Sequence, residues 1–190
     1  SIAAFSLNQV NKTAAIYDMD KLTWMNSHYL RHYDLARLAE AAKPFFIKNA
    51  LISDNLKQEE FDYYQQVIAL VRERARTLVE LAEVSDYFFQ NEISYDPNGQ
   101  SKIFGKEGTS ALLERVARSL EGLAVFDREN TEQLFNQLAE ELSLSLGKLI
   151  QPVRLAITGK TGGPGLFDIL DLIGRERSIE RLKAASQIAG

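Results

Sequence analysis

Along this chain apolar residues return at intervals of three and four, and nowhere do they alternate with polar ones for long enough to make a confident strand. That spacing gathers them on one face of a helix, so the core has to come from packing helix on helix. Phe61, Tyr64, Ile68 and Val71 show the pattern plainly. Asp18 or Asp20 is placed to cap a helix carrying Leu22, Trp24, Met25, Tyr29 and Leu30, and Asp34 to cap a second that ends before Pro44. A further helix is predicted from Thr77 to about Phe89. The stretch 91–106 holds Pro97, Asn98, Gly99 and Gly105 and reads as a loop between two subdomains.

Beyond that loop, Thr109 and Ser110 begin a helix with Leu112, Leu113, Val116 and Leu120 on one side. Asn130 or Thr131 caps the next, which carries Leu134, Phe135, Leu138 and Leu142. A third runs through Leu149, Ile150, Val153 and Ile157, with Pro152 in or near its first turns. The last two span Gly165–Ile173 and roughly Arg175–Gln187. The expected fold is all-α, with two helical subdomains in tandem.

Composition narrows the function classes. At 190 residues, 45% apolar and 25% charged, the chain is ordinary for a globular protein. Its net charge of −4 argues against a general nucleic-acid coat. It does not exclude a local basic face, because steering depends on how charge is distributed. Residues 151–190 hold six Lys/Arg against four Asp/Glu, so this end is net positive. There is no cysteine, which removes disulfides, thiolate zinc sites and cysteine catalysis and fits a cytosolic setting. No apolar run is long enough to span a membrane. The start at Ser1, without Met, suggests a piece of a longer protein.

Motifs for chemistry are few. Gly159-Lys160-Thr161 invites comparison with a phosphate-binding P-loop, but the position that needs the first glycine is Arg154, and a helix precedes it instead of a strand. His28 and His32 stand four apart, a spacing able to chelate a metal, yet no third ligand is evident and packing or surface roles explain them better. Glu59, Glu60, Glu73, Glu80, Glu140 and Glu141 lie beside Lys/Arg on helix faces, where solvation and pairing account for them. No serine is marked out as a nucleophile. The chain presents no catalytic residues, no metal site and no cofactor site.

Two features remain. Arg72, Arg74 and Arg76 cluster near a helix junction, either as a solvated face or as forks of donors suited to base edges and phosphates. Gln151–Arg177 carries an apolar helix with one Arg into a Gly/Pro-rich turn and straight into another helix. Such a turn sets open backbone groups beside a helix N-terminus, which suits an anionic or polar-edged ligand such as single-stranded RNA. The alternative is a corner that only packs.

Three stretches together resemble bacterial-type glutamyl-tRNA synthetases: IYDMDKLTWMNSHYLR at 16–31, LVRERARTL at 70–78, and the block 151–182 that begins QPVRLAITG and continues PGLFDILDLIGRER. In order, they cover most of the chain. The resemblance implies the C-terminal part of an ATP-dependent glutamate–tRNA ligase. Its ATP and Mg belong to a catalytic domain whose signatures this chain lacks. It implies the tail of a stem-contact domain over 1–42, a first helical anticodon-binding domain over 43–97 and a second over 98–190, forming an α-helix cage. Arg154, Pro164, Gly165 and Leu166 match the family positions that contact anticodon bases. Gly163 stands where some members have Thr, so a side-chain hydrogen bond made there would be missing. Arg74 falls on a position whose Arg helps read the first anticodon base. Lys21, Trp24, Asn26 and Arg31 are family-like in the first stretch and are expected to contact the tRNA stem. The implied partner is tRNA-Glu, with tRNA-Gln left open, in a cytoplasmic monomer without membrane contact. The competing reading, from the acidic charge and amphipathic helices, is a helical protein–protein interaction module.

Overall fold

The computed structural model describes residues 28–190, and among these there are helices and turns but no strand. After a helical turn at 28–32, α1 spans Leu35–Lys48, with Asp34 accepting from the Arg37 amide at 3.1 Å as its cap. The expected end before Pro44 is corrected here: α1 runs through Pro44. Both Pro44 and Glu40 are exposed, so the Glu40 carbonyl that proline leaves without an amide faces water. Phe46, beyond the proline, is fully buried against Tyr64, which favours continuing the helix. Position 42/43 therefore lies inside one continuous helix.

Helix α2 (Gln58–Val71) carries the expected stripe: Tyr64, Val67, Ile68 and Val71 are buried, and Tyr64 donates its hydroxyl to the Ala39 carbonyl of α1 at 2.8 Å. It passes into a 3-10 turn at Arg72–Arg74. The helix expected over 77–89 is two pieces, α3 (Leu78–Glu83) and α4 (Asp86–Phe89). Buried Ser85 sits at the break and donates to the Leu81 carbonyl at 2.6 Å, giving its hydroxyl a local acceptor. α1 packs on both α2 and α3, with Phe46, Tyr64 and Phe89 meeting edge-on or tilted.

The stretch 91–106 is not a plain loop. It contains a short turn, α5 (Pro97–Gly99), capped by Asp96, that runs on into a π-helical turn at Gln100–Phe104. Helix α6 (Thr109–Glu121) follows, entered through Gly108 at φ +84°. Helix α7 (Arg128–Glu141) is capped by Asp127 and not by Asn130 or Thr131: the Asp127 carboxylate accepts from the Asn130 amide at 2.8 Å. Helix α8 spans Leu146–Thr158 with Pro152 buried in its second turn, and α9 (Leu166–Ile173) and α10 (Arg175–Ser186) follow. α10 lies along α6, and α9 reaches across to α7 and to α2. A continuous buried cluster runs from Leu30 to Ala185, so the elements before and after residue 97 share one core. No helix among the described residues is long and apolar enough to cross a membrane.

Candidate functional site

The site grows from the end of α8. Gly159 terminates that helix in the left-handed region at φ +74°, and its amide still bonds back to the Leu155 carbonyl at 2.8 Å. A glycine is required on two counts. The backbone is one that L side chains rarely adopt, and a Cβ here would sit 2.0 Å from the Ser94 carbonyl oxygen. That close approach lets the Asp96 amide donate to the Gly159 carbonyl at 2.7 Å, pinning the helix end to the 94–96 segment.

Thr158 then folds the chain. Its hydroxyl donates to the Arg154 carbonyl at 2.8 Å and accepts from the Lys160 amide at 3.0 Å. Lys160 reaches over to α4 and pairs with Asp86 at 3.1 Å. Four residues before Thr158, Arg154, half-buried, donates from Nη1 to the Pro164 carbonyl at 2.7 Å. Arg154 thus lies directly behind the Pro-Gly corner and holds it in place. Gly163 passes at φ +149°, and a Cβ there would stand 3.5 Å from Arg154 Nη1 and 3.9 Å from the Tyr87 hydroxyl. The missing side chain keeps that space open.

The facing wall is the Arg72–Arg74 turn together with α4. Arg72 is committed elsewhere: its guanidinium donates to the Leu30 and Tyr33 carbonyls at 2.7 and 2.6 Å, tying down the helical turn that precedes α1. Arg74 is exposed, and its guanidinium donates to no group among the described residues. Between the walls lies a cleft of about 220 Å³ lined by Val71, Arg74, Val84, Tyr87, Lys160 and Gly162–Pro164. A shallower hollow of about 400 Å³ adjoins it, bounded by Leu70, Glu73, Arg74, Pro164, Gly165 and Asp168. Arg74 and Pro164 line both.

The electrostatics are mixed. Burial holds the Arg154 guanidinium below its ordinary range; the nearby Tyr87 hydroxyl pulls it up, while Arg74 lowers it further. Burial also pushes the Tyr87 hydroxyl up, opposed first by Arg154. That hydroxyl is buried with no hydrogen-bond partner among the described residues. The acids at the rim are largely satisfied: Asp168 pairs with Arg128 at 2.8 Å, and Asp86 with Lys160. Asp168 also occupies the first turn of α9, where a Cβ at 165 would sit 2.6 Å from its carboxylate. The helix N-terminus therefore already has its own anion, and the corner suits a polar base edge better than a phosphate.

Arg74, Gly163 and Pro164 line the cleft and Gly165 the adjoining hollow, Arg154 stands behind them on the Pro164 carbonyl, and Leu166 is buried beneath as the first residue of α9. Gln151 and Pro152, from the same motif as Arg154, line a separate groove of about 580 Å³ on another face of α8, with Lys106, Arg115 and Lys148. Arg31 is exposed on the turn held by Arg72; Lys21, Trp24 and Asn26 lie outside the described residues. The His28 and His32 rings meet tilted at 42° with centroids 4.5 Å apart, and no group of three or more metal-ligating side chains occurs among the described residues. Sequence reading passed over Tyr87 and met Lys160 only in a rejected P-loop comparison; both line the cleft, and Lys160 reaches its ion-pair partner Asp86 across 74 positions of chain.

A family model described as an anticodon binding domain matches residues 37–186. The chain is 42% identical over 185 residues to glutamate–tRNA ligase 1 of Caldanaerobacter subterraneus subsp. tengcongensis, covering 97% of this chain and 38% of that protein. It is 43% identical over 186 residues to the glutamate–tRNA ligase of Moorella thermoacetica, covering 98% of this chain and 38% of that one. The chain thus spans under two-fifths of the length of these relatives. A glutamate tRNA ligase from Elizabethkingia meningosepticum, solved with its amino acid, superposes over 88% of this chain and 32% of its own with a TM-score of 0.75 at 24% identity, a likeness of fold. By the family model, which covers the chain from α1 to the end of α10, this protein belongs to the anticodon-binding domain family.

Proposed function

We propose that this chain recognises the anticodon loop of tRNA-Glu as part of a cytoplasmic glutamate–tRNA ligase. What supports the reading most is the juxtaposition of Arg154 behind the Pro164 corner with the unengaged Arg74 across a shared cleft. Anticodon bases are unstacked and present hydrogen-bonding edges. A cleft of about 220 Å³ is smaller than pockets for drug-sized ligands, which run to roughly 300–1,000 Å³, and suits one splayed base. The adjoining hollow provides room for its neighbour. In this reading Arg74 and Arg154 supply donors, Pro164 and Gly165 supply backbone edges, and Leu166 anchors the corner from below. Arg31, with Lys21, Trp24 and Asn26, contacts the stem. Glutamate attachment, with ATP and Mg, belongs to a catalytic domain of the parent ligase. The segments 1–42, 43–97 and 98–190 are proposed as functional divisions of the chain.

Fluorescence titration of the chain with a Glu anticodon stem-loop, repeated across salt concentrations, tests this. The expected result is tighter binding to the Glu loop than to a stem-loop with scrambled loop bases, with affinity falling as salt rises. Equal affinity for the two loops defeats the assignment and favours a protein partner for the same face.

A further inference from the structure

Arg181, on α10, is 6% exposed, and its hydrogen-bond partners are carbonyls and not a carboxylate. Nη1 donates to the Ile157 carbonyl at 2.7 Å, and Nη2 to the Tyr87 and Gln90 carbonyls at 2.7 and 2.8 Å. One turn earlier, Arg177 donates to the Phe88 carbonyl at 2.7 Å. These acceptors come from both sides of the cleft. Tyr87, Phe88 and Gln90 belong to α4 and its end; Ile157 lies in the last turn of α8, three residues after Arg154.

The arrangement follows from the shortness of α4. A four-residue helix leaves its terminal carbonyls without amide partners inside the helix. An arginine fork can serve several such carbonyls in fixed directions, where an ammonium is a single point of charge. Keeping a cation in so dry a place is costly, and burial pulls the Arg181 guanidinium down to about 10. A leucine would avoid that cost but leave three carbonyls without their donor, so what the arginine adds is donors in fixed directions. By tying the Tyr87 backbone to the α8 turn that follows Arg154, it fixes how far the two walls stand apart.

We infer that Arg181 is a positioning residue for base selection: it sets the width of the cleft between Tyr87 and Arg154 without touching the RNA. The inference rests on the anticodon-loop reading above. Arg181→Met keeps the side-chain stem and removes the donors; Arg181→Lys keeps the charge but serves fewer carbonyls. Each variant is titrated with the Glu and the scrambled stem-loops across salt, well below its own melting midpoint. The expected result for Arg181→Met is about a tenfold loss of affinity for the Glu loop, little change for the scrambled loop and an unchanged salt slope. Arg181→Lys is expected to recover part of the discrimination. A purely structural role lowers the melting midpoint but leaves the ratio between loops at the wild-type value, and that result overturns the inference. So does a salt slope lower by about one, which would mean a direct phosphate contact. Should Arg181→Met not fold, Arg181→Lys is judged by the same ratio. If the wild-type chain itself does not discriminate, the anticodon-loop reading has failed instead.

Discussion

The two walls of the cleft are built on opposite plans. On the corner side, residues 154–166, nearly every polar group that could waver is held: Thr158 bridges Arg154 and Lys160, Gly159 is bonded to Asp96, and Arg154 is bonded to Pro164. On the turn side, residues 72–77, the arginines divide their labour. Arg72 is spent on the carbonyls of Leu30 and Tyr33, while Arg74, two positions on, projects unengaged. The contrast teaches that a preformed recognition surface needs one wall that keeps its shape and one side chain free to move onto the ligand. Ordering a free arginine costs side-chain entropy, of order 1.5–2 kcal/mol when fully fixed, so a site uses few of them.

The comparison breaks most visibly at Gly159. Gly159→Ala places a Cβ 2.0 Å from a backbone oxygen in a left-handed conformation, so the corner must move away from residues 94–96. Urea unfolding is expected to show a loss of about 3 kcal/mol. A loss below about 1 kcal/mol would show that the corner is not rigid, and the contrast between the walls would go with it. The turn side is expected to yield less. Thr77 accepts from the Glu80 amide at 3.1 Å as the cap of α3, and Thr77→Ala should cost about 1 kcal/mol in the same assay. Binding of the Glu stem-loop by that variant should be close to wild type, because Arg74 lies before the cap and is not held by it. A large binding loss would mean that the turn, too, is prearranged.

Much of this fold was legible because its signals are local. The Gly165–Ile173 and Arg175–Gln187 expectations fall within a residue of α9 and α10, since apolar spacing and flanking glycines act over one or two turns. Expectations failed where a distant contact overrode a local rule. Pro44 does not end α1, because Phe46 beyond it packs on Tyr64 of another helix. Ser85 interrupts the 77–89 helix at a place where nothing in the neighbouring sequence asks for a break. At the cleft, Arg154 and the Pro-Gly corner could be found because they lie ten residues apart in one motif. Arg181 could not: its acceptors are 24 to 94 residues away, and in sequence it is one more arginine on an amphipathic helix. From spacing alone the roles of Arg72 and Arg74 were equally hidden, because two arginines in the same turn differ only in what lies beside them, and only the family resemblance singled out Arg74.

The central claim is that the held arginine and the free one act on a single ligand across one cleft. A double-mutant cycle tests it, with Arg154→Ala, Arg74→Ala and the double variant each titrated with the Glu anticodon stem-loop. Each single change should weaken binding by about 1–3 kcal/mol with the helical spectrum intact. The double change should differ from the sum by at least about 0.5 kcal/mol, as expected for residues that share a partner. Unchanged affinity in both single variants, with both folded, would contradict the account.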